Sequence, residues 1–522
     1  MPDIPRTPRR RSRRAGIAAT VTALAVTTGS VVAVVATSTV ATSSAAASRA
    51  GGVQANLWEW NWDSVASECT NVLGPAGYSG VQVAPPADSL KRTATSDDAP
   101  ILHPWWEVYQ PASYTITGRM GTETEFRNMV TTCRRAGVKV YVDAVINHMT
   151  GQGTRSYGGV VYSHFKYPGL YTARNFHQKG TDCPTANGGI QDFNNYRQVT
   201  QCELLGLADL ATNDLGTRDI IAGYLNKLIA YGVSGFRVDA AKHVGIEDMI
   251  ALQKLLDNTK DNTRPYVALE VFPDGPGKVS QWAFTKAGSV LGFDYAFQIE
   301  RAFRSYNSSG YTGNIASLAV FGEAAGLVPS DKSLVFISNH DTERDNPDSA
   351  RTLTYRDGRT NIIANQFMLA YPYGTPQVYS AFSFPVDQTY ASPPATAGGI
   401  IKDTDCANGW VCVDRDPGVL AMVEFRNAVG TAPLRNWWDD GDNVIAFSRG
   451  TTGFFATNNG TAAKTAAIKT TLLPGTYCDA IHGATTGTTC SGPRVLVDSH
   501  GTARVTVGAK DSVAFTAADR IK

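Results

Sequence analysis

Between about residue 51 and residue 430, eight apolar runs recur with helix-like segments between them. The runs are VQANLWEW (53–60), YSGVQVAPP (78–86), VKVYVDAVINH (138–148), VSGFRVDA (233–240), RPYVALEVF (264–272), VLGFDYAF (290–297), SLVFISNHD (333–341) and TPQVYSAF (375–382). Strands buried on both faces read as continuous apolar runs, and regular alternation with helices leaves two options: a closed parallel barrel or an open doubly wound sheet. The clearest helix is predicted over 216–231, with Ile220, Ile221, Tyr224, Leu225, Leu228 and Ile229 on one face and Asp214 as its cap.

One connection breaks the rhythm. Some sixty residues rich in Gly, Tyr, Asn and Gln separate Asn147 from Asp209, too many for a structureless loop, so a small inserted domain is expected there. After residue 431 the pattern becomes short Thr/Val/Ala alternations broken by Gly, which predicts an antiparallel β domain. A chain of 522 residues accommodates this division.

The first 48 residues hold six Arg and one Asp, a balance of +5 in a chain of net charge +1, so the remainder carries −4. That disfavours a polyanionic partner for the body of the protein. Arg6 to Arg14, an uncharged Ala/Val/Thr stretch and the small residues Ala45 to Ala47 make a secretory signal peptide over 1–47, and the Arg pairs leave the twin-arginine route open. Eight cysteines in an exported chain favour disulfides, with Cys406/Cys412 and Cys478/Cys490 spaced as local staples.

Three runs end in a carboxylate with polar company: GFRVDAAKH at Asp239, VALEVF at Glu270 and ISNHD at Asp341. Acids at the C-terminal ends of parallel strands converge on one rim, and carboxylates placed so suit glycoside hydrolysis. Arg237 lies two residues before Asp239 on the same strand face and favours its ionised form, as a nucleophile needs, whereas Glu270 would need a raised pKa to donate a proton. The histidines His148, His243 and His340 also stand at strand ends and allow a competing zinc hydrolase, although no His-x-His pair occurs. HPWWEVYQPASY (103–114) offers Trp105, Trp106, Tyr109 and Tyr114 as flat faces for sugar rings; Trp58, Trp60 and Trp62 read as mainly structural.

DAVINH (143–148), GFRVDAAKH, LEV (269–271) and ISNHD resemble, in order, the four signature regions of the alpha-amylase family of glycoside hydrolases. PWWEVYQP, ARNFHQKGTDC (173–183) and MVEFRN (422–427) are similar to the secreted animal-type members. The resemblance implies a (β/α)8 barrel over 51–146 and 210–430, an inserted calcium-binding domain over 147–209 and a C-terminal β-sandwich over 431–522. It implies Asp239 as nucleophile, Glu270 as acid/base and Asp341 as the residue gripping a distorted sugar. Trp105, Trp106, Tyr109, Gln110, His148, Arg237, Lys242, His243 and His340 become sugar contacts. Asn147, Thr200 (through its carbonyl), Asp209 and the His243 carbonyl become calcium ligands. The implied disulfides are Cys69–Cys133, Cys183–Cys202, Cys406–Cys412 and Cys478–Cys490. Members that bind an activating chloride use two Arg and one Asn; Arg237 and Asn339 match, but the third position is Gln377, so chloride is not expected to be required.

The expected activity is that of a secreted, monomeric, endo-acting enzyme cleaving internal α-1,4-glucosidic bonds of starch and maltooligosaccharides with retention, without nucleic acid or membrane partners. A maltooligosaccharide-forming or transglycosylating relative is the alternative within this chemistry. A non-catalytic binding subunit is the alternative outside it; such members typically lose one of the three acids, and all three are present.

Overall fold

The computed structural model describes residues 52–96, 99–304, 313–345 and 350–521; the expected signal peptide lies outside them. Eight parallel strands close into a barrel: β1 (Gln54–Leu57), β2 (Gly80–Val83), β3 (Lys139–Ala144), β4 (Gly235–Val238), β5 (Tyr266–Leu269), β6 (Ser289–Leu291), β7 (Ser333–Val335) and β8 (Thr375–Phe382). Each pairs with the next, and Gln54 opposite Gln377 joins β1 back to β8, so the sheet has no open end and the doubly wound alternative falls. A short strand, Trp410–Val411, adds antiparallel to β8. Inside the barrel, Gln377 Nε2 donates to Gln82 Oε1 at 3.0 Å and Gln54 Oε1 at 3.4 Å, an interior amide cluster. Gly80, opposite Gln54 in the sheet, leaves room for the Tyr141 ring, since a Cβ there would stand 2.4 Å from it.

The apolar run 290–297 is strand only at its start. Gly292 ends β6, and Phe293–Phe303 is a helix that buries Phe293, Tyr295, Ala296 and Ile299 on the barrel. A short apolar run cannot by itself separate a buried strand from a buried helix. The helix Leu215–Tyr231 does form, with the Asp214 carboxylate accepting from the Thr217 N–H at 2.8 Å and Ile221, Tyr224, Leu225, Leu228 and Ile229 buried. Losing that cap would cost about 1 kcal/mol, and Leu228→Ala about 2–5 kcal/mol through the cavity left behind.

The segment between β3 and that helix leaves and returns at one point: His148 pairs with Asp209, and the Leu210 N–H donates to the Asn147 carbonyl at 2.9 Å. It holds one short α-helix, Tyr196–Gln201, a 3-10 turn, Ala173–Asn175, and isolated bridges, stapled by Cys183–Cys202. The pairs Cys69–Cys133, Cys406–Cys412 and Cys478–Cys490 are also formed.

Beyond the helix Pro417–Val429 the chain builds two antiparallel four-stranded sheets, one from Leu434–Asp439, Val444–Arg449, Gly453–Asn458 and Asp511–Thr516, the other from Lys464–Lys469, Thr502–Val507, Arg494–Val497 and Gly475–Cys478. Phe454 and Phe515 of the first meet Ile468, Tyr477 and Val505 of the second, giving a sandwich core separate from the barrel's. Arg449, fully buried, ties the sandwich to the barrel by donating to the carbonyls of Ala370 (2.6 Å), Gly430 and Ala432 (both 2.7 Å).

A second tie runs through His482, whose Nδ1 meets Asp479 and whose Nε2 lies 3.1 Å from Asp511, itself paired with Arg359 of the barrel. Hydrogen bonds to these two carboxylates push the imidazole up to about 10. A folded-state pKa raised above the unfolded value adds stability that is fully present below pH ~6.5 and is lost as pH rises through the folded pKa. The side chain is 35% exposed, so solvent screening cuts the contribution to about 1–2 kcal/mol. Scanning calorimetry of His482→Gln should show a lower Tm at pH 7 and convergence with the unsubstituted protein above pH ~10. A Tm difference independent of pH would contradict this.

Candidate active site

β4, β5 and β7 all run toward the same rim. β4 ends at Val238 and delivers Asp239; β5 ends at Leu269 and delivers Glu270. Beyond β7 the chain continues through Ile337 to Asp341, which opens the turn Thr342–Arg344. The Asn339 side-chain oxygen accepts from the N–H groups of Asp341 (3.1 Å) and Thr342 (2.9 Å) and fixes that corner.

Arg237 is the hub. Its buried Nη1 donates to Asp143 Oδ1 at 2.6 Å and Asp239 Oδ1 at 2.8 Å, and its Nη2 lies 3.1 Å from Glu270 Oε2. Glu270 Oε2 also accepts from the Ala240 N–H at 2.7 Å. Ala240 is left-handed, φ +47°, a conformation that costs a residue with a Cβ about 1–2 kcal/mol and here aims the amide at the carboxyl group. Asp341 stands close enough for both Arg237 and Glu270 to act on its carboxyl group. The three acids predicted from separate strands therefore converge.

Burial shapes their charge. It drives the Asp239 carboxyl well above the usual carboxylate range; Arg237 pulls it down, and Glu270 and Asp143 push it up again. Arg237 is thus the group that works against burial and favours the Asp239 carboxylate. Asp143 is pushed up to about 6 by the same burial, against Arg237. Burial also raises Asp341, opposed by Arg237 and Arg344.

Asp143 was not among the expected site residues. It pairs in register with Arg237 across β3 and β4, and accepts from the Tyr109 hydroxyl at 3.0 Å, which itself accepts from Trp58 Nε1 at 2.9 Å. The available signal was an acid on an otherwise apolar strand. Trp58 also exceeds its expected structural role: its ring stacks on His340 at 4.9 Å, and the Tyr109 ring stacks on the same imidazole at 5.0 Å. Burial pushes His340 far below the ordinary histidine range, and its Nε2 lies 3.4 Å from Asp341 Oδ2.

The remaining predicted contacts surround this centre. His148 is pushed down to about 4 by burial, and its Nε2–H donates to the Tyr109 carbonyl at 3.0 Å. Lys242 pairs with Asp274 beside the Phe272 carbonyl, and His243 Nδ1–H donates to the Val199 carbonyl at 2.9 Å. Trp105 and Trp106 keep part of their surface in solvent; Trp105 Nε1 donates to the Thr389 carbonyl at 2.9 Å, and Arg92 covers Trp106 at 5.1 Å. Gln110 is buried and accepts from the Gly151 N–H at 3.0 Å. Tyr114 is not a free platform: it stacks on Tyr224 at 4.3 Å and accepts from the Tyr171 hydroxyl, because the helix Leu215–Tyr231 packs beneath it.

The expected calcium ligands lie where the insert meets the barrel. Asp209 is buried and bonded to His177 (2.7 Å), and burial pushes it up to about 7. Thr200 and His243 lie in the last turns of the short helices Tyr196–Gln201 and Ala241–Val244, where carbonyls lack intrahelical partners. The helices pack together through the His243–Val199 bond. An amide oxygen, two carbonyls and a buried carboxylate are donors of the kind a hard cation takes. Among the described residues no cluster of three His, Cys, Asp or Glu side chains stands ready for a metal, so the histidines do not assemble a zinc site.

A closed parallel barrel with three carboxyl groups converging on one guanidinium at its C-terminal rim defines a barrel enzyme working through acids. The alpha amylase catalytic-domain model matches residues 105–381, and the alpha amylase C-terminal all-beta domain model matches 436–518. The pancreatic alpha-amylase of Sus scrofa is 39% identical over 478 residues, covering 87% of this chain and 91% of that protein. The alpha-amylase of Thermomonospora curvata is 41% identical over 472 residues, 89% and 73% respectively. A variant of alpha-amylase I from Eisenia fetida, solved with maltohexaose, superposes with a TM-score of 0.83 at 35% identity, covering 89% of this chain and 97% of that one. The chain belongs to the alpha-amylase family of glycoside hydrolases, and it is an enzyme of that family.

Proposed function

We propose that this protein is a secreted, monomeric alpha-amylase that hydrolyses internal α-1,4-glucosidic bonds of starch and related glucans by double displacement with retention. The observation that carries the reading is the meeting of Asp239 and Glu270 on the Arg237 guanidinium, with Asp341 near enough to feel that charge. Two carboxyl groups on the two Nη atoms of one planar fork lie close together, which supports the ~5–5.5 Å spacing of a retaining pair over the wider spacing of an inverting one.

Asp239, oriented by Arg237, attacks the anomeric carbon while Glu270 gives its proton to the departing glycosidic oxygen. A glycosyl ester forms on Asp239 Oδ. Glu270 then takes a proton from water, which breaks the ester and restores both carboxyl groups. Asp341 and the neutral imidazoles of His148 and His340 hold the sugar hydroxyls, and Trp105 and Trp106 stack on pyranose faces. Neutral donors suit a site already crowded with carboxylates.

Asn147, Thr200, Asp209 and His243 would hold calcium, which supplies charge balance for the buried Asp209 and pins the insert to the barrel wall. Chloride is a different matter. Gln377 directs its amide to Gln82 and Gln54, and a neutral amide attracts an anion far less than a guanidinium would. Rates in chloride-free and chloride-containing buffer should therefore match; severe loss without chloride, restored by adding it, would overturn this point.

Reducing-end release from soluble starch, with the early products sized, tests the whole proposal. Endo attack yields a spread of oligosaccharides in the first minutes. A single short product from the outset would refute it, as would no release at all.

A further inference from the structure

Arg344 closes the turn that carries His340 and Asp341, and its guanidinium is almost enclosed. Nη1 donates to the His340 carbonyl and to Glu343 Oε1 at 2.9 Å, while Nε donates to the Thr389 carbonyl at 3.1 Å. That Thr389 carbonyl is the same one that receives Trp105 Nε1. The guanidinium carbon lies 4.5 Å from the Phe384 ring centre, 4.7 Å from Trp58 and 4.8 Å from Trp105. Glu343 is anchored in turn by the Tyr379 hydroxyl of β8 at 2.8 Å.

One side chain thus joins three pieces of the rim: the β7 corner, the aromatic wall after β2 and the segment after β8. No hydrogen bond links it to Asp239, Glu270 or the Asp341 carboxyl, so it neither attacks nor transfers a proton. We infer that Arg344 is a positioning residue that fixes Asp341 and His340 relative to the Trp105 face, so that the sugar stacked on the wall is the sugar gripped at the reaction centre. This rests on the roles given above to Asp341 and Trp105.

The charge acts as well as the shape. Asp341 faces Arg344 and Arg237 as cations, the Glu270 carboxyl group, and the neutral His340. The guanidinium also faces Glu343 and the buried Glu59. Taking away Arg344 removes one of the two cations that hold Asp341 down against burial.

Kinetics on starch with Arg344→Met and Arg344→Lys, each normalised to folded enzyme by near-ultraviolet circular dichroism, test this. The Met variant should lose about 100-fold in kcat, the scale expected of a displaced grip on substrate, with a smaller change in KM. Its acid limb of kcat/KM should move to higher pH. The Lys variant keeps the charge but not the fork; it should lose at least about tenfold in kcat with the acid limb unmoved. A merely structural role would lower the folded fraction and leave the acid limb of the folded enzyme where it was. The inference is overturned if the Met variant keeps kcat within about twofold or leaves the limb in place. If the Met variant does not fold, a Lys variant with unchanged kcat overturns it. The unsubstituted enzyme assayed alongside separates the two levels: no hydrolysis there would refute the function itself, whatever the variants do.

Discussion

Asp239→Asn should lose at least about four orders of magnitude in kcat on starch while still folding and binding substrate. The amide is nearly isosteric and Arg237 keeps Asp143 and Glu270 as counter-charges, so the architecture has little reason to fail. What disappears is the only group at that position able to form a glycosyl ester. Glu270→Gln should be as severe on starch, because the leaving alkoxide needs a proton, and the Gln carbonyl can still accept the Ala240 N–H. On a glucoside with a good leaving group, such as a fluoride, the first step of the Gln variant should recover most of its rate, since no proton donor is needed. Asp239→Asn should recover nothing. A pre-steady-state burst of fluoride release, beside steady-state rates on starch, checks this; near-normal turnover of starch by either variant would remove its residue from the role assigned.

The second large effect concerns stability. If Asn147, Thr200, Asp209 and His243 bind calcium, a ligand held at about a thousand times its dissociation constant adds about 4 kcal/mol, and chelation removes it. For a domain of this size that is several degrees of Tm, readable by calorimetry with and without chelator. Asp209→Ala should melt at one temperature whether or not calcium is present. Magnesium should substitute poorly, because it demands tighter octahedral geometry and resists dehydration. Identical melting of the unsubstituted protein with calcium and with chelator would contradict the assignment.

The barrel was legible because strands buried on both faces leave unbroken apolar runs, and eight such runs with helices between them admit few architectures. The end of β6 was not, since Phe293 and Tyr295 are as apolar on a buried helix as on a strand. Asp239, Glu270 and Asp341 could be read because each closes an apolar run, and parallel strands carry such residues to one rim. The Arg237–Asp143 pair depends on cross-strand register, which no single strand reveals. Trp58 looked like core because it is core; only coordinates show that the ring beneath it belongs to His340. Arg344 lies five residues past Asn339, with nothing local to set it apart, and its partners Thr389 and Trp105 are remote in sequence. The burial that opposes Arg237 at Asp239 likewise depends on the full environment, which the string does not display.

The most direct test is peptide mass mapping of Glu270→Gln quenched during reaction with an α-glucosyl or maltosyl fluoride. Fluoride leaves without a proton donor, and the glycosyl ester should then persist because no base activates water. A glycosyl mass increment on the peptide containing Asp239, absent from the Asp239→Asn, Glu270→Gln double variant, is the expected result. Fluoride release with no adduct and product of inverted configuration, or an adduct on another residue, would contradict it.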